Sequence, residues 1–150
     1  MKIRLAVSDE NLEEIKSFLE EKGIEIDDDA EFILMQKNKS IGHLAVKTCD
    51  TADKAYLDIE DIIYIESYGH RMEIKTMEAS YYTTDPLYQL ESTLDSTKYV
   101  RISKSVIIAK RKVKQIKPSF SMKFVLIMQD GRKLEVTRSY YNSFKEAFNI

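Results

Sequence analysis

The chain has 150 residues, 43% of them hydrophobic and 32% charged, with a formal net charge of −2. That length allows one domain, or a small domain with a modest appendage, and enough apolar content for a sizeable core. No run approaches the roughly 20 apolar residues of a membrane helix, the start lacks the apolar core and cleavage site of a secretory signal, and the lone Cys49 excludes an intramolecular disulfide. A cytoplasmic protein without direct membrane insertion is expected.

In chain order, residues 2–7 alternate as a strand, and Ser8 or Asp9 supplies the short oxygen side chain that caps a helix. Leu12, Ile15, Phe18 and Leu19 follow at helical spacing until Lys22-Gly23 stops the run. Short strands are expected at Ile24–Ile26, Glu31–Gln36 and Ile41–Lys47, with Asp27-Asp28-Asp29 in a turn. Residues 1–50 then form a small α+β segment. The polar stretch Thr48–Lys54 marks the boundary to a second unit, residues 51–150.

There the apolar period becomes two. Strands are expected at Ala55–Ile59, Ile62–Glu66, Arg71–Thr76 and Ser80–Thr83, with a Tyr68-Gly69 turn between the second and third. Thr84 or Asp85 should cap a short helix that starts near Pro86 and puts Leu87, Leu90 and Leu94 on one face. Further strands follow at Tyr99–Ile102, Val106–Ala109, Val113–Lys117, Met122–Met128 and Lys133–Val136, with a hairpin at Asp130-Gly131. Ser139 is the expected cap of a last amphipathic helix carrying Phe144, Ala147 and Phe148. Many short strands with minor helices indicate a mainly antiparallel β-domain.

Charge is distributed unevenly. Residues 98–150 hold thirteen Lys or Arg against Asp130, Glu135 and Glu146, about +10, whereas residues 1–50 carry about −5 and residues 51–97 about −7. A cationic surface on a folded block is the electrostatic footprint of a phosphate-backbone binder. Charge alone supports equally a basic sheet that aids solubility or docks onto the acidic N-terminal half.

Catalytic chemistry finds little support. The four glycines form no G-x-G phosphate loop. His43, His70 and Cys49 are too few and too scattered for a zinc site. The acidic clusters Asp27–Asp29 and Asp58, Glu60, Asp61 fit solvated faces, with nothing to isolate one acid in an apolar setting. Asp9 and Glu10 after the first strand invite comparison with a phosphoreceiver pocket. That domain needs over a hundred residues, and only about fifty precede the boundary. No catalytic residue, metal or cofactor is expected.

The basic block offers binding chemistry instead. Three polar, basic loops bracket its strands at Ser67–Arg71, Ser103–Ser105 and Thr137–Tyr141. Arg can take a guanine edge bidentately, and Lys, His, Ser and Thr can donate to bases or phosphates. Lys110-Arg111-Lys112, with Lys114 and Lys117, would add phosphate neutralisation.

Three motifs in this block resemble the LytTR family of DNA-binding domains. Asp61-Ile62-Ile63-Tyr64-Ile65-Glu66 is similar to the family's opening, and Tyr99-Val100-Arg101-Ile102-Ser103-Lys104-Ser105-Val106-Ile107 to its central signature. Gly131 followed by Val136-Thr137-Arg138-Ser139-Tyr140 matches its closing one. The resemblance covers residues 55–150. Two positions depart from it: Ser103 replaces a frequent histidine, and Ala109 a frequent asparagine.

The resemblance implies an elongated fold of antiparallel β-sheets whose loops, rather than a recognition helix, enter successive major grooves. Carried over by position, the DNA-facing residues would be His70, Lys104 and Arg138, with Arg71, Ser105 and Tyr141 beside them. It further implies a non-enzymatic, sequence-specific transcription regulator bound to double-stranded DNA, a homodimer, and a membrane-protein partner that restrains it. Arg101 fits either a bracing arginine or a reader. The rival expectation is a protein–protein interaction module using the basic sheet, with a self-associating N-terminal segment.

Overall fold

The computed structural model describes residues 1–7, 9–35 and 42–150. The predicted cap at Ser8 and the strand ends at Gln36 and Ile41 lie outside these residues. The chain opens with β1 (Lys2–Ala6), α1 (Asp9–Glu21), β2 (Glu25–Ile26) and β3 (Phe32–Met35), forming a parallel sheet in the order β2-β1-β3. Residues Ile3 to Ala6 of β1 are all buried because the strand is covered on both faces, as parallel strands usually are. Ile3 and Leu5 pack with Leu19 of α1, and the alternate residue Arg4 pairs with Glu91 on the other side. Gly23 ends α1 with φ +76°, a conformation glycine adopts without a Cβ clash. Phe18 departs from expectation and is 56% exposed. At 3.6 residues per turn it lies about 100° around α1 from Leu19, off the stripe that meets β1.

Seven strands form the main sheet, in the order β5-β4-β8-β7-β6-β10-β9. They are β4 (His43–Thr48), β5 (Lys54–Asp58), β6 (Tyr64–Tyr68), β7 (Arg71–Lys75), β8 (Ser80–Thr83), β9 (Tyr99–Arg101) and β10 (Val106–Ala109), every pair antiparallel. The polar Thr48–Lys54 stretch is the β4–β5 turn, closed by Asp53 N–H donating to Thr48 Oγ1 and the Thr51 hydroxyl donating to Asp53. β4 therefore shares a sheet with the strands that follow it. A second antiparallel sheet holds β11 (Val113–Ser119), β12 (Lys123–Met128) and β13 (Lys133–Val136).

Two strands tie the cores together. Ile107 and Ala109 of β10, with Ile65 of β6, face a core closed by Leu87, Leu90 and Leu94 around α2 (Leu87–Thr93). Val106 and Ile108, with Tyr64, face the opposite core, which contains Phe124, Leu126, Met128, Leu134 and Val136 of the three-stranded sheet. Phe144 of α3 (Tyr141–Phe148) closes it. Burial on both faces explains why these segments are continuous apolar runs rather than alternating ones. The expected mainly β, multi-sheet fold with short helices is the observed one.

Two helix starts differ from expectation. α2 follows Pro86 without a side-chain cap, while Thr83 Oγ1 accepts from Asp85 N–H one turn earlier. Ser139 is not a cap either: Arg138–Tyr140 forms a 3-10 turn, with Tyr140 N–H bonded to the Thr137 carbonyl, and α3 starts after it.

Candidate nucleic-acid interface

The sheet brings the three predicted loops to one end of the molecule. β6 and β10 run antiparallel with Glu66 opposite Val106, so the β6–β7 turn and the β9–β10 loop leave the same edge. Ser67 N–H donates to the Ser105 carbonyl at 2.8 Å, and Thr137 N–H donates to the Ile102 carbonyl at 3.0 Å. Those two backbone bonds stitch the β6–β7 turn to the β9–β10 loop, and that loop to the segment after β13. Rigid strands thus hold variable tips, the usual way of positioning binding side chains.

Each predicted residue has a distinct state. His70 is the exposed tip of a two-residue hairpin, made possible by Gly69 at φ +61°. Arg71 is exposed but anchored, its guanidinium 3.8 Å from the centre of the Tyr82 ring and near Cys49 Sγ. Lys104 is exposed, and its ammonium lies 2.8 Å from an Asp29 carboxylate oxygen. The hydrogen bond and charge of that pair raise the Lys104 pKa and lower that of Asp29. Ser105 is half-buried, its N–H donating to Ser103 Oγ. Arg138 is exposed, with no ion pair among the described residues. The Tyr141 ring stacks on Phe124 at 5.0 Å and 10°, so its aromatic face belongs to the core packing.

Arg101 is a brace. Its Nε donates to the Ser103 carbonyl at 3.1 Å, one Nη donates to the Lys104 carbonyl, and the other reaches Glu91 at 3.3 Å. Burial lowers the Arg101 pKa, opposed by the adjacent Glu91 charge. Glu91 also accepts two hydrogen bonds from Arg4, at 2.8 and 3.2 Å. Neither Arg4 nor Glu91 was marked by the sequence, because 87 residues separate them.

The expected phosphate-neutralising run Lys110-Arg111-Lys112 lies elsewhere. It forms a 3-10 turn at the opposite end of β10 from Lys104. Lys110 donates to the Ala147 carbonyl at 2.6 Å, near the C-terminus of α3, and its ammonium lies over the Phe148 ring. Arg111 donates to the Glu60 carbonyl at 2.7 Å and pairs with the Glu60 carboxylate, which Lys98 also approaches at 3.6 Å. Arg132 is drawn to Glu66 at 3.6 Å. Lys98, Arg101, Lys104, Arg111 and Arg132 of the basic block thus pair with acids of the region that precedes it. Among the described residues, no group of three or more His, Cys, Asp or Glu is placed to hold a metal ion, and no helix is long and apolar enough to cross a membrane.

Comparison with known proteins gives a consistent picture. The LytTr DNA-binding domain family matches residues 53–149. The sensory transduction protein LytT of Bacillus subtilis is 32% identical over 94 residues, covering 63% of this chain and 39% of that protein. The transcriptional regulatory protein LytR of Staphylococcus aureus is 31% identical over 91 residues, covering 61% of this chain and 37% of that protein. The chain thus spans about two fifths of the length of these relatives. A solved LytTr DNA-binding domain from Bacillus cereus shares the fold, with a TM-score of 0.68 at 22% identity, covering 75% of this chain and all of that one.

Proposed function

Since the chain belongs to the LytTr DNA-binding domain family over residues 53–149, we propose that it is a non-enzymatic transcription regulator that binds double-stranded DNA sequence-specifically. Its β6–β7, β9–β10 and post-β13 loops would enter successive major grooves. Arg138 and His70 are the exposed candidates for base edges, and Lys104 for a phosphate or base. Arg71, Ser105 and Tyr141 shape the tips around them. One observation carries the reading: two inter-loop backbone hydrogen bonds, from Ser67 N–H to the Ser105 carbonyl and from Thr137 N–H to the Ile102 carbonyl, gather three loops of donor-rich composition at one edge.

Residues 1–50 serve in this reading as a regulatory and dimerising segment, and homodimers would read repeated half-sites. Restraint by a membrane-protein partner in the cytoplasm belongs to the same proposal. Affinity should fall steeply with salt, because each neutralised phosphate releases counterions.

Gel shifts of promoter DNA with wild type, Arg138→Ala and Lys104→Ala test the assignment. Both variants should bind more weakly; undiminished binding by both would refute the loop assignment. The rival module is a basic sheet docking an acidic protein. Titration with random duplex separates the two, since the rival expects no binding even at low salt.

A further inference from the structure

We propose that the acidic turn Asp27–Asp29 is a built-in competitor of DNA, occupying Lys104 in the unbound protein and yielding it when the duplex arrives. This rests on the DNA-binding reading above and adds to it a mode of regulation by the chain's own N-terminal segment.

The contact is direct but easily released. Lys104 Nζ lies 2.8 Å from Asp29 Oδ1, yet the side chains remain 71% and 67% exposed. An exposed pair of this kind favours the closed arrangement by about fivefold at most. It is therefore weak enough for a phosphate to displace. The turn itself is ordered: Asp29 N–H donates to Asp27 Oδ1 at 2.9 Å, and Ala30 N–H donates to the Asp27 carbonyl at 3.0 Å. Lys2 lies 3.7 Å from the Asp27 carboxylate, tying the turn back to β1.

A second, buried link holds the turn over the loop. Arg4 on β1 is 4% exposed and donates to both oxygens of Glu91. Glu91 simultaneously receives Arg101, whose guanidinium grips the carbonyls of Ser103 and Lys104. One carboxylate thus joins the N-terminal sheet to the backbone of the loop that presents Lys104. The buried link sets position, and the exposed pair is the element that opens. Three consecutive carboxylates at Asp27, Asp28 and Asp29 would also repel an approaching phosphate backbone until the turn shifts.

The test uses the full chain and fluorescence anisotropy with a fluorescein-labelled mixed-sequence duplex across a salt series. Wild type, Asp29→Asn, Lys104→Ala and the double variant are compared, with thermal unfolding to show that each remains folded. Asp29→Asn should bind about two- to fivefold tighter at low salt, with the slope of log affinity against log salt nearly unchanged, because Lys104 meets the same phosphate in both complexes. In the Lys104→Ala background the same substitution should change affinity by less than about twofold, because the interaction it removes is already gone. Wild-type binding with no gain in Asp29→Asn overturns the competitor and leaves the DNA reading intact. An equal gain with and without Lys104 also overturns it, since Asp29 would then act through overall charge. Absence of duplex binding by all four proteins at low salt refutes the DNA reading itself.

Discussion

The two ends of β10 carry similar positive charge and use it in opposite ways. At one end, Lys110 and Arg111 are bound to the Ala147 and Glu60 carbonyls, and Arg111 also to the Glu60 carboxylate. At the other, Lys104 meets an exposed carboxylate, while Arg138 and His70 are exposed at loop tips. A count of Lys and Arg treats the ends alike. What separates them is desolvation and geometry: a guanidinium already satisfied by a carbonyl and a carboxylate gains little from a phosphate, whereas a hydrated loop cation has that bond still to make.

The division is not perfect, and its exception yields the largest predicted effect. Arg4 and Arg101 belong to the loop end, yet both are drawn into Glu91, with side-chain exposures of 4% and 12%. Removing the acid would leave two buried guanidinium groups with no counter-charge. Glu91→Ala should therefore destabilise the fold by about 3–5 kcal/mol, the usual result of breaking a buried pair from one side. Chemical denaturation measures this directly, and a loss below about 1 kcal/mol would show that the triad is hydrated and does not anchor the loop.

Next in size comes a reciprocal pair. Arg138→Ala should weaken DNA binding by about 1–3 kcal/mol, the range of a base-reading arginine, and leave unfolding unchanged. Arg111→Ala should do the reverse. It should lower stability by less than about 1 kcal/mol, since the pair is half exposed, and change DNA affinity only slightly. Equal losses of DNA affinity in the two variants would erase the distinction between the ends of β10.

Much of this architecture was legible in the sequence. Gly23 and Gly69 punctuated α1 and the β6–β7 hairpin through the positive φ values those stops require. The run Val106–Ala109 read as a strand and is β10, whereas the strand expected from Ile62 starts only at Tyr64, and burial on two faces needed the second sheet to explain it. Phe18 misled because helical spacing alone does not say how wide a stripe the partner strand covers. The employment of cations was illegible for a different reason. Arg111 and Glu60 are 51 residues apart, and Arg4 and Glu91 are 87 apart. No local pattern announces partners that only the tertiary fold brings together. The three loop motifs could be read because they are local, each lying within a few residues of a strand end.

The smallest predicted effect is a null result, and it bears on how the loop end is controlled. Asp29 has its pKa lowered from 3.8 by Lys104, so its contribution to the closed arrangement is present above 3.8 and lost as pH falls through the depressed value. Lys104 has its pKa raised from 10.5 by Asp29, so its contribution holds below 10.5 and is lost only as pH rises through the elevated value. Between those limits both groups stay charged and the pair is insensitive to pH. The ratio of DNA affinities between Asp29→Asn and wild type should accordingly be flat from pH 5 to 8 in anisotropy titrations at fixed salt. A ratio that changes severalfold across that interval would mean that a group titrating near neutrality, rather than the Asp29–Lys104 pair, controls access to the loop.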